Sequence, residues 1–281
     1  MKVLPFQIPK QKDDALIFQE DIEFSFYDKL HQHEEIQICF IKSGSGTLIV
    51  GDTINDFKEN DALIIGSNVP HVFRSDFKKD KKSHMITFFF TKKSFGDDFF
   101  NLKELSNFDD FFMQSKHGFR VTSNHKKIKK YFLKLRSSSK LDRFIIFLKL
   151  IKCITKSNFE SLSSFIYEKK YTAIEGKRMR DIFEYTMRNY TKDITLNDIS
   201  EVAVLTKNAF CKYFKKRTNK SYFKFLNELK IEHSCRLIFS KTDLTLAEIA
   251  FKSGFKNISN FNRQFKTVKN MNPSNYRKLK E

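Results

Sequence analysis

Apolar positions along the chain follow two different periods, and the change of period divides it. Up to about residue 95, short apolar runs alternate with turn residues. "IQICFIKSGSGTLIV" (36–50) holds two β-rich runs around a Gly/Ser turn, a hairpin pattern, and "NDALIIGSNVPHVFR" (60–74) repeats the habit around a Gly/Asn/Pro turn. "SHMITFFFT" (83–91) predicts a further strand. Short strands punctuated in this way predict a sandwich or a barrel. From 97 to 168 the apolar residues move to three- and four-residue spacing, in "DDFFNLKELSNFDDFFMQS" and "KLDRFIIFLKLIKCITKS", which predicts helices. Within the second, "FIIFLKLI" reads as core rather than as a dimer surface. "SNFESLSS" (157–164) reads as the end of that layer. "YEKKYTAIEGK" (167–177) is polar and aperiodic and contains Gly176, so it reads as a linker. The domains expected are therefore 1–166 and 178–281, the latter helical throughout.

The helical part contains an internal repeat. "LNDIS" (196–200) aligns with "LAEIA" (246–250), and "AFCKYFKKRTNKS" (209–221) with "NFNRQFKTVKNMN" (260–272). Phe210 corresponds to Phe261, Phe214 to Phe265, Lys215 to Lys266 and Asn219 to Asn270, with an offset of 50 before the turn and 51 after it. Each copy reads as a short helix, a tight turn and a second helix. Leu196, Ile199 and Ala203 form the first apolar stripe, and Thr206 suits an N-cap for a helix that buries Phe210, Tyr213 and Phe214. In the second copy the stripe is Leu246, Ile249 and Ala250, the turn carries Gly254, and Asn257 suits the N-cap. This is the helix-turn-helix pattern, whose second helix enters the major groove of DNA. "SYFKFLNELKIEHSCRLIFS" (221–240) fits one connecting helix carrying Leu226, Leu229, Leu237 and Ile238. At roughly 30 Å it matches the separation of successive major-groove faces.

The face opposite Phe261 and Phe265 reads Asn257, Ser259, Asn260, Asn262, Arg263 and Gln264. Amides and guanidinium groups pair with base edges. Arg263 can bond bidentately to guanine and Asn260 to adenine. Charge points the same way. The whole chain carries +19, with 41 Lys against 11 Arg, and residues 175–281 alone hold 23 basic and 11 acidic side chains. That concentration suits a nucleic-acid partner. The four cysteines, Cys39, Cys153, Cys211 and Cys235, are scattered without a C-x-x-C, which predicts reduced cytosolic thiols and neither a disulfide frame nor a structural zinc. The N-terminus lacks an apolar signal segment, and "RFIIFLKLIKCI" (143–154) is too short and too charged to span a bilayer. A cytoplasmic protein without a membrane partner is expected.

"ITLNDISEVAVLTKNAFCKYFKKRTNKSYFKFLNELKIEHSCRLI" and "LTLAEIAFKSGFKNISNFNRQFKTVKNMNPSNYRK" strongly resemble the AraC/XylS family of bacterial transcriptional regulators. The carrying residues are Gly254, Phe255, Phe261, Phe265, Lys266, Pro273, Tyr276 and Arg277, and the resemblance covers about 100 residues. It implies base contacts from Asn208, Cys211 and Lys212 in the first copy and from Ser259, Asn260 and Arg263 in the second. It implies phosphate contacts from Lys207, Lys215, Lys256 and Lys266. Asn219 and Asn270 stand where the family has glycine, and Val204-Leu205 occupies a turn where it often has glycine. Asn tolerates the left-handed conformation, so the turns should survive. Cys211 is a poor base reader, which puts the first copy's precision in doubt.

"HQHEEIQICFIKSGSG" (31–46) and "NDALIIGSNVPHVFR" resemble the two motifs of a cupin β-barrel, as found in the sensor half of many such regulators. His31, His33, Glu35 and His71 stand near the positions of metal-binding cupin ligands. The H-x-H-x-E spacing is tighter than the metalloenzyme pattern, so contact with a small-molecule effector or a packing role is expected, with no metal and no cofactor. The fold expected is α+β in two domains: a cupin-like β-barrel with flanking helices, then an all-α domain with two helix-turn-helix units joined by a long helix. The function expected is a ligand-responsive, sequence-specific transcriptional activator and not an enzyme. Its implied partners are double-stranded promoter DNA, a sugar or other metabolite, RNA polymerase and a second copy of the chain. The alternatives are a metal-dependent cupin enzyme with a DNA-binding appendage and a non-specific architectural DNA protein.

Overall fold

The structure, a computed structural model, describes residues 14–76, 81–166, 171–240 and 243–279. Backbone contacts divide the chain into two compact units, Met1–Gly176 and Lys177–Glu281.

The first unit is built from strands β1 (Ile17–Glu23), β2 (Ile36–Ser43), β3 (Gly46–Val50), β4 (Thr53–Phe57), β5 (Ala62–Ile65), β6 (His71–Ser75), β7 (Ser83–Phe90), β8 (Phe119–Val121) and β9 (Phe159–Ser161). They form two sheets, one of six strands in the order β1-β7-β2-β5-β8-β9 and one of three in the order β4-β3-β6. Three helices, α1 (Phe108–Ser115), α2 (His125–Lys134) and α3 (Lys140–Ile154), accompany them. The alternation of β2 separates its two faces. Ile36, Ile38 and Phe40 pack with Phe111, Phe132, Phe147 and Leu150 of the helices. Cys39 and Ile41 pack with Leu48, Val50, Phe57 and Phe73 of the smaller sheet. The unit is thus three layers: helices, large sheet, small sheet.

Several expectations need correction here. No closed barrel forms among the described strands; the ladders end in two separate sheets. The 36–50 segment is not a hairpin, because β2 pairs with β5 and β7 while β3 pairs with β4 and β6. The Gly/Ser corner instead carries the chain from one sheet to the other. Gly44 sits at φ +105°, and a Cβ on Gly46 would lie 2.1 Å from the Arg74 carbonyl oxygen, so neither position accepts a side chain. The 97–168 segment is not purely helical: β8 and β9 extend the large sheet from within it, and "SNFESLSS" contributes β9. Three-residue strands are too short to show a period-2 pattern. "FIIFLKLI" is largely core, with Phe147, Leu150 and Ile151 fully buried and Ile145 on the exposed side.

The expected linker is partly helical. Residues 167–170 of the expected linker lie outside the described residues, and helix α4 (Ala173–Asn189) starts within its second half. The signal is a capping box. Thr172 Oγ1 accepts from the Glu175 amide and Glu175 Oε2 accepts from the Thr172 amide, both at 3.2 Å, and this starts the helix despite Gly176.

Helices α5 (Leu196–Val202) and α6 (Lys207–Thr218) form one helical pair, and α8 (Leu246–Lys252) and α9 (Ile258–Lys269) form the other. Between the pairs runs α7 (Tyr222–Phe239), of 18 residues, and α10 (Pro273–Lys278) closes the chain. The repeat reads out at atomic level. Thr195/Asp198 and Thr245/Glu248 make the same capping box on α5 and α8. Thr206 and Asn257 cap α6 and α9 by accepting from the amides of Ala209 and Asn260. Asn219 and Asn270 end those helices in the left-handed conformation at φ 53° and 56°. Phe210, Phe214, Phe261 and Phe265 are fully buried. Val204, the counterpart of Gly254, takes φ 52°, which a β-branched residue rarely adopts.

The hydrogen bonds from Thr195 and Thr245 hold the Asp198 and Glu248 carboxyls below their ordinary values. Both groups therefore bind protons less readily in the folded chain than in the unfolded one. Their contribution is full above the ordinary carboxylate pKa of about 4 and is lost as the pH falls through the lowered values. We expect the helical transition to lose stability below about pH 4, and Asp198→Asn with Glu248→Gln to flatten that dependence in urea unfolding followed by circular dichroism. An unchanged pH profile would remove the boxes from the account.

Candidate functional site

On α9 the buried pair Phe261 and Phe265 turns the opposite face outward. Ser259 and Arg263 are exposed and Asn260 is half-buried. Asn260 is held at both ends, its amide donating to Asn257 Oδ1 at 2.8 Å and its own Oδ1 accepting from Arg263 Nη2 at 3.0 Å. The two strongest base readers expected from sequence are thus already paired with each other. On α6, Lys207, Asn208, Cys211, Lys212 and Lys215 are all exposed. Tyr213 is half-buried beneath Arg217, whose guanidinium carbon lies 3.7 Å from the ring centre, a cation–π contact on the same helix. Neither α6 nor α9 contains a carboxylate, so both carry net positive charge of their own, although Lys269 at the end of α9 pairs with Glu232 of α7. Lys266 is exposed on α9. Lys256 is also exposed, but it is engaged by Asp193 Oδ2 at 2.6 Å rather than standing clear for a phosphate. An ion pair this exposed is worth at most about 1 kcal/mol and is screened by salt, so it does not exclude a DNA contact.

In the first unit the structure brings His31, His33 and His71 together. All three are buried, and one donor atom from each lies within 4.8 Å of the others. The arrangement follows from the backbone: the segment at His31 bridges to β6 through reciprocal bonds between His31 and His71, at 3.1 and 2.9 Å. Each Nδ1 sits 2.8 Å from a main-chain carbonyl, that of Lys29, Glu35 and Val69 respectively. A carbonyl can only accept, so each Nδ1 carries a proton, which leaves each Nε2 as the ring nitrogen not committed to the main chain. That second-shell pattern orients imidazoles for metal binding. The Glu35 carboxylate lies 3.8 Å from His33 Nδ1, on the ring edge away from Nε2. The Gln37 side chain lies on the other edge, with Oε1 3.3 Å from His33 Nε2. Thr87, fully buried, has an Oγ1 without a hydrogen-bond partner and pairs in register with Cys39 on the inter-sheet face. Sequence reasoning missed Gln37. The available signal was a polar residue at an inward position of an otherwise apolar strand.

A helix-turn-helix domain family matches residues 199–279 and a cupin domain family matches residues 22–87. The chain joins a cupin domain to a helix-turn-helix domain. It is similar to YdeC of Bacillus subtilis (strain 168), named an uncharacterized HTH-type transcriptional regulator, at 23% identity over 266 residues, which cover 90% of this chain and 87% of that protein. It is also similar to an HTH-type transcriptional regulator of Staphylococcus aureus (strain COL), 26% identical over 111 residues, 40% of this chain but only 15% of that protein. Among solved structures, ToxT from Vibrio cholerae aligns over 93% of this chain and 98% of that one, at 15% identity and a TM-score of 0.37. No helix of the described residues is long and apolar enough to cross a membrane.

Proposed function

We propose that the chain is an AraC/XylS-type transcriptional regulator that reads promoter DNA through α6 and α9 in successive major grooves and activates transcription in response to an effector held in the cupin unit. The observation that carries this reading is the duplicated unit. Caps, turns and buried phenylalanines repeat, whereas the outward faces differ, Asn208, Cys211 and Lys212 against Ser259, Asn260 and Arg263. A protein that only neutralises phosphates has no need of two different faces. The expected result of selecting bound genomic fragments with the purified chain is an asymmetric motif of two boxes about one helical turn apart. Fragments sharing no motif, with binding that simply fades with salt, would identify a non-specific binder instead.

The histidine cluster supports a second, more specific reading of the effector site. Three imidazoles whose Nδ1 atoms are committed to the main chain can each offer Nε2 to a first-row divalent cation such as Zn²⁺, Mn²⁺ or Fe²⁺, beside the Gln37 carboxamide. His31, His33 and His71 would hold the ion, which supplies a fixed positive charge on which an anionic or hydroxylated effector can seat. We expect about one Zn²⁺ or Co²⁺ per chain in a titration of the chelator-treated protein, and loss of that equivalent in His71→Ala. Absence of binding for both ions would assign the cluster to contact with an organic effector.

A further inference from the structure

The two helix-turn-helix copies differ in sequence at one turn, and the difference coincides with a contact. The offset of 50 holds as far as Leu205 and Phe255 and becomes 51 at Thr206 and Asn257, so Lys256 is an inserted residue; Gly254 stands opposite Val204. In the first copy this turn faces solvent, with Val204 80% exposed. In the second it is covered by the loop that leads from α4 into α5. A Cβ on Gly254 would lie 2.8 Å from both the Cα and the carbonyl oxygen of Thr191, so the two backbones touch directly. The inserted Lys256 pairs with Asp193 of the same loop. Lys230, on α7 and itself buried, donates to the Gly254 carbonyl at 2.8 Å, with its Nζ 5.7 Å from the Phe255 ring. Tyr190 packs edge-on against His233 of α7, with ring centres 5.3 Å apart.

We infer that this seam locks α6 and α9 at one relative angle and distance, and so fixes the spacing between the two DNA boxes that the chain accepts; Lys230, Gly254 and Asp193 are positioning residues, not readers. The inference rests on the DNA-reading proposal above. Its physical basis is the count of connections. Helix α7 packs into both copies, Tyr222 and Phe225 against Phe210 and Phe214 and Ile231 and Ile238 with Phe261 and Phe265, so one rod carries both and its bending is the freedom left between them. The direct backbone contact between Gly254 of the second copy and Thr191, in the loop that enters the first, ties the copies a second time and removes that freedom. One extra base pair displaces the second box by about 3.4 Å along the duplex and rotates it by roughly a tenth of a turn, which a locked pair cannot follow. Of the contacts in the seam, the part-buried Lys230 bond is the stronger, because losing the donor leaves a half-buried carbonyl short of a charged partner, whereas the exposed Lys256–Asp193 pair adds little. Both features that set the second copy apart from the first, the glycine and the inserted lysine, lie in this contact.

The test uses the full chain, the selected operator, and probes whose spacer between the boxes is changed by one or two base pairs. The expected result is a roughly tenfold weaker binding for each one-base-pair change with the unmodified protein. In Lys230→Met, which keeps the apolar stem but removes the donor, that penalty should fall below about threefold while binding to a probe carrying only the second box is unchanged. Asp193→Ala, exposed and tolerant of substitution, should move the penalty the same way by less, and provides the reading if Lys230→Met fails to fold. Equal spacing penalties in the unmodified protein and both variants overturn the inference. Unmodified protein that distinguishes no box at any spacing overturns the DNA reading on which it rests.

Discussion

Gly254→Val is expected to destabilise the helical unit by about 2–5 kcal/mol, whereas the mirror change Val204→Gly is expected to stabilise it by up to about 1.5 kcal/mol. Both residues occupy the same position of the repeat and both take the left-handed conformation, at φ +86° and 52°. A β-branched side chain there costs roughly 1–2 kcal/mol by local sterics. At Gly254 the new Cβ also collides with the Thr191 backbone, which cannot swing aside like a side chain and adds about 1–3 kcal/mol of overpacking. At Val204 the side chain is exposed, so its removal loses no core contact, and strain relief is offset only by about 0.5–1 kcal/mol of glycine backbone entropy. Urea unfolding of the full chain, followed through the helical signal, measures both. Similar small effects at the two positions would mean that the seam relaxes freely.

Arg263→Ala is expected to lose about 1–3 kcal/mol of operator binding, roughly 5- to 150-fold, and to relax preference at the base it meets. Asn260→Ala should behave similarly, and the double variant should lose less than the sum. The reason is the 3.0 Å bond from Arg263 Nη2 to Asn260 Oδ1: each residue holds the other in place, so removing one already disorders its partner. Lys266→Ala, by contrast, should weaken all sequences alike and reduce the salt slope by about one. Competition binding with single-base variants of the selected operator separates these cases. An additive double variant with unchanged base preference would move the reading function elsewhere on the helix.

Much of the second unit is legible in the sequence, because its signals are local. Thr206 and Asn257 announce caps, Phe261 and Phe265 mark a face four residues apart, and one copy checks the other. The capping box at Thr172–Glu175 was equally local, yet it is masked by the polar, aperiodic residues around it and by Gly176. The first unit is harder to read. Whether "IQICFIKSGSGTLIV" closes a hairpin or crosses between sheets depends on what packs against Gly44 and Gly46, and those neighbours, Ser83 and Arg74, come from distant strands. The histidines were visible as candidates, but their tautomers depend on the carbonyls of Lys29, Glu35 and Val69, which only the folded backbone supplies. The seam at Thr191 carries no pattern of its own; its trace is the one-residue slip in the repeat.

Asparagine rather than glycine ends both α6 and α9, and among the described non-glycine residues with positive φ, five of six are asparagine. Each of those side chains narrows the conformations open to the unfolded chain, while its short amide still tolerates the left-handed turn. Part of the stability of these turns therefore resides in the denatured ensemble, where it leaves no contact to be seen in the folded structure.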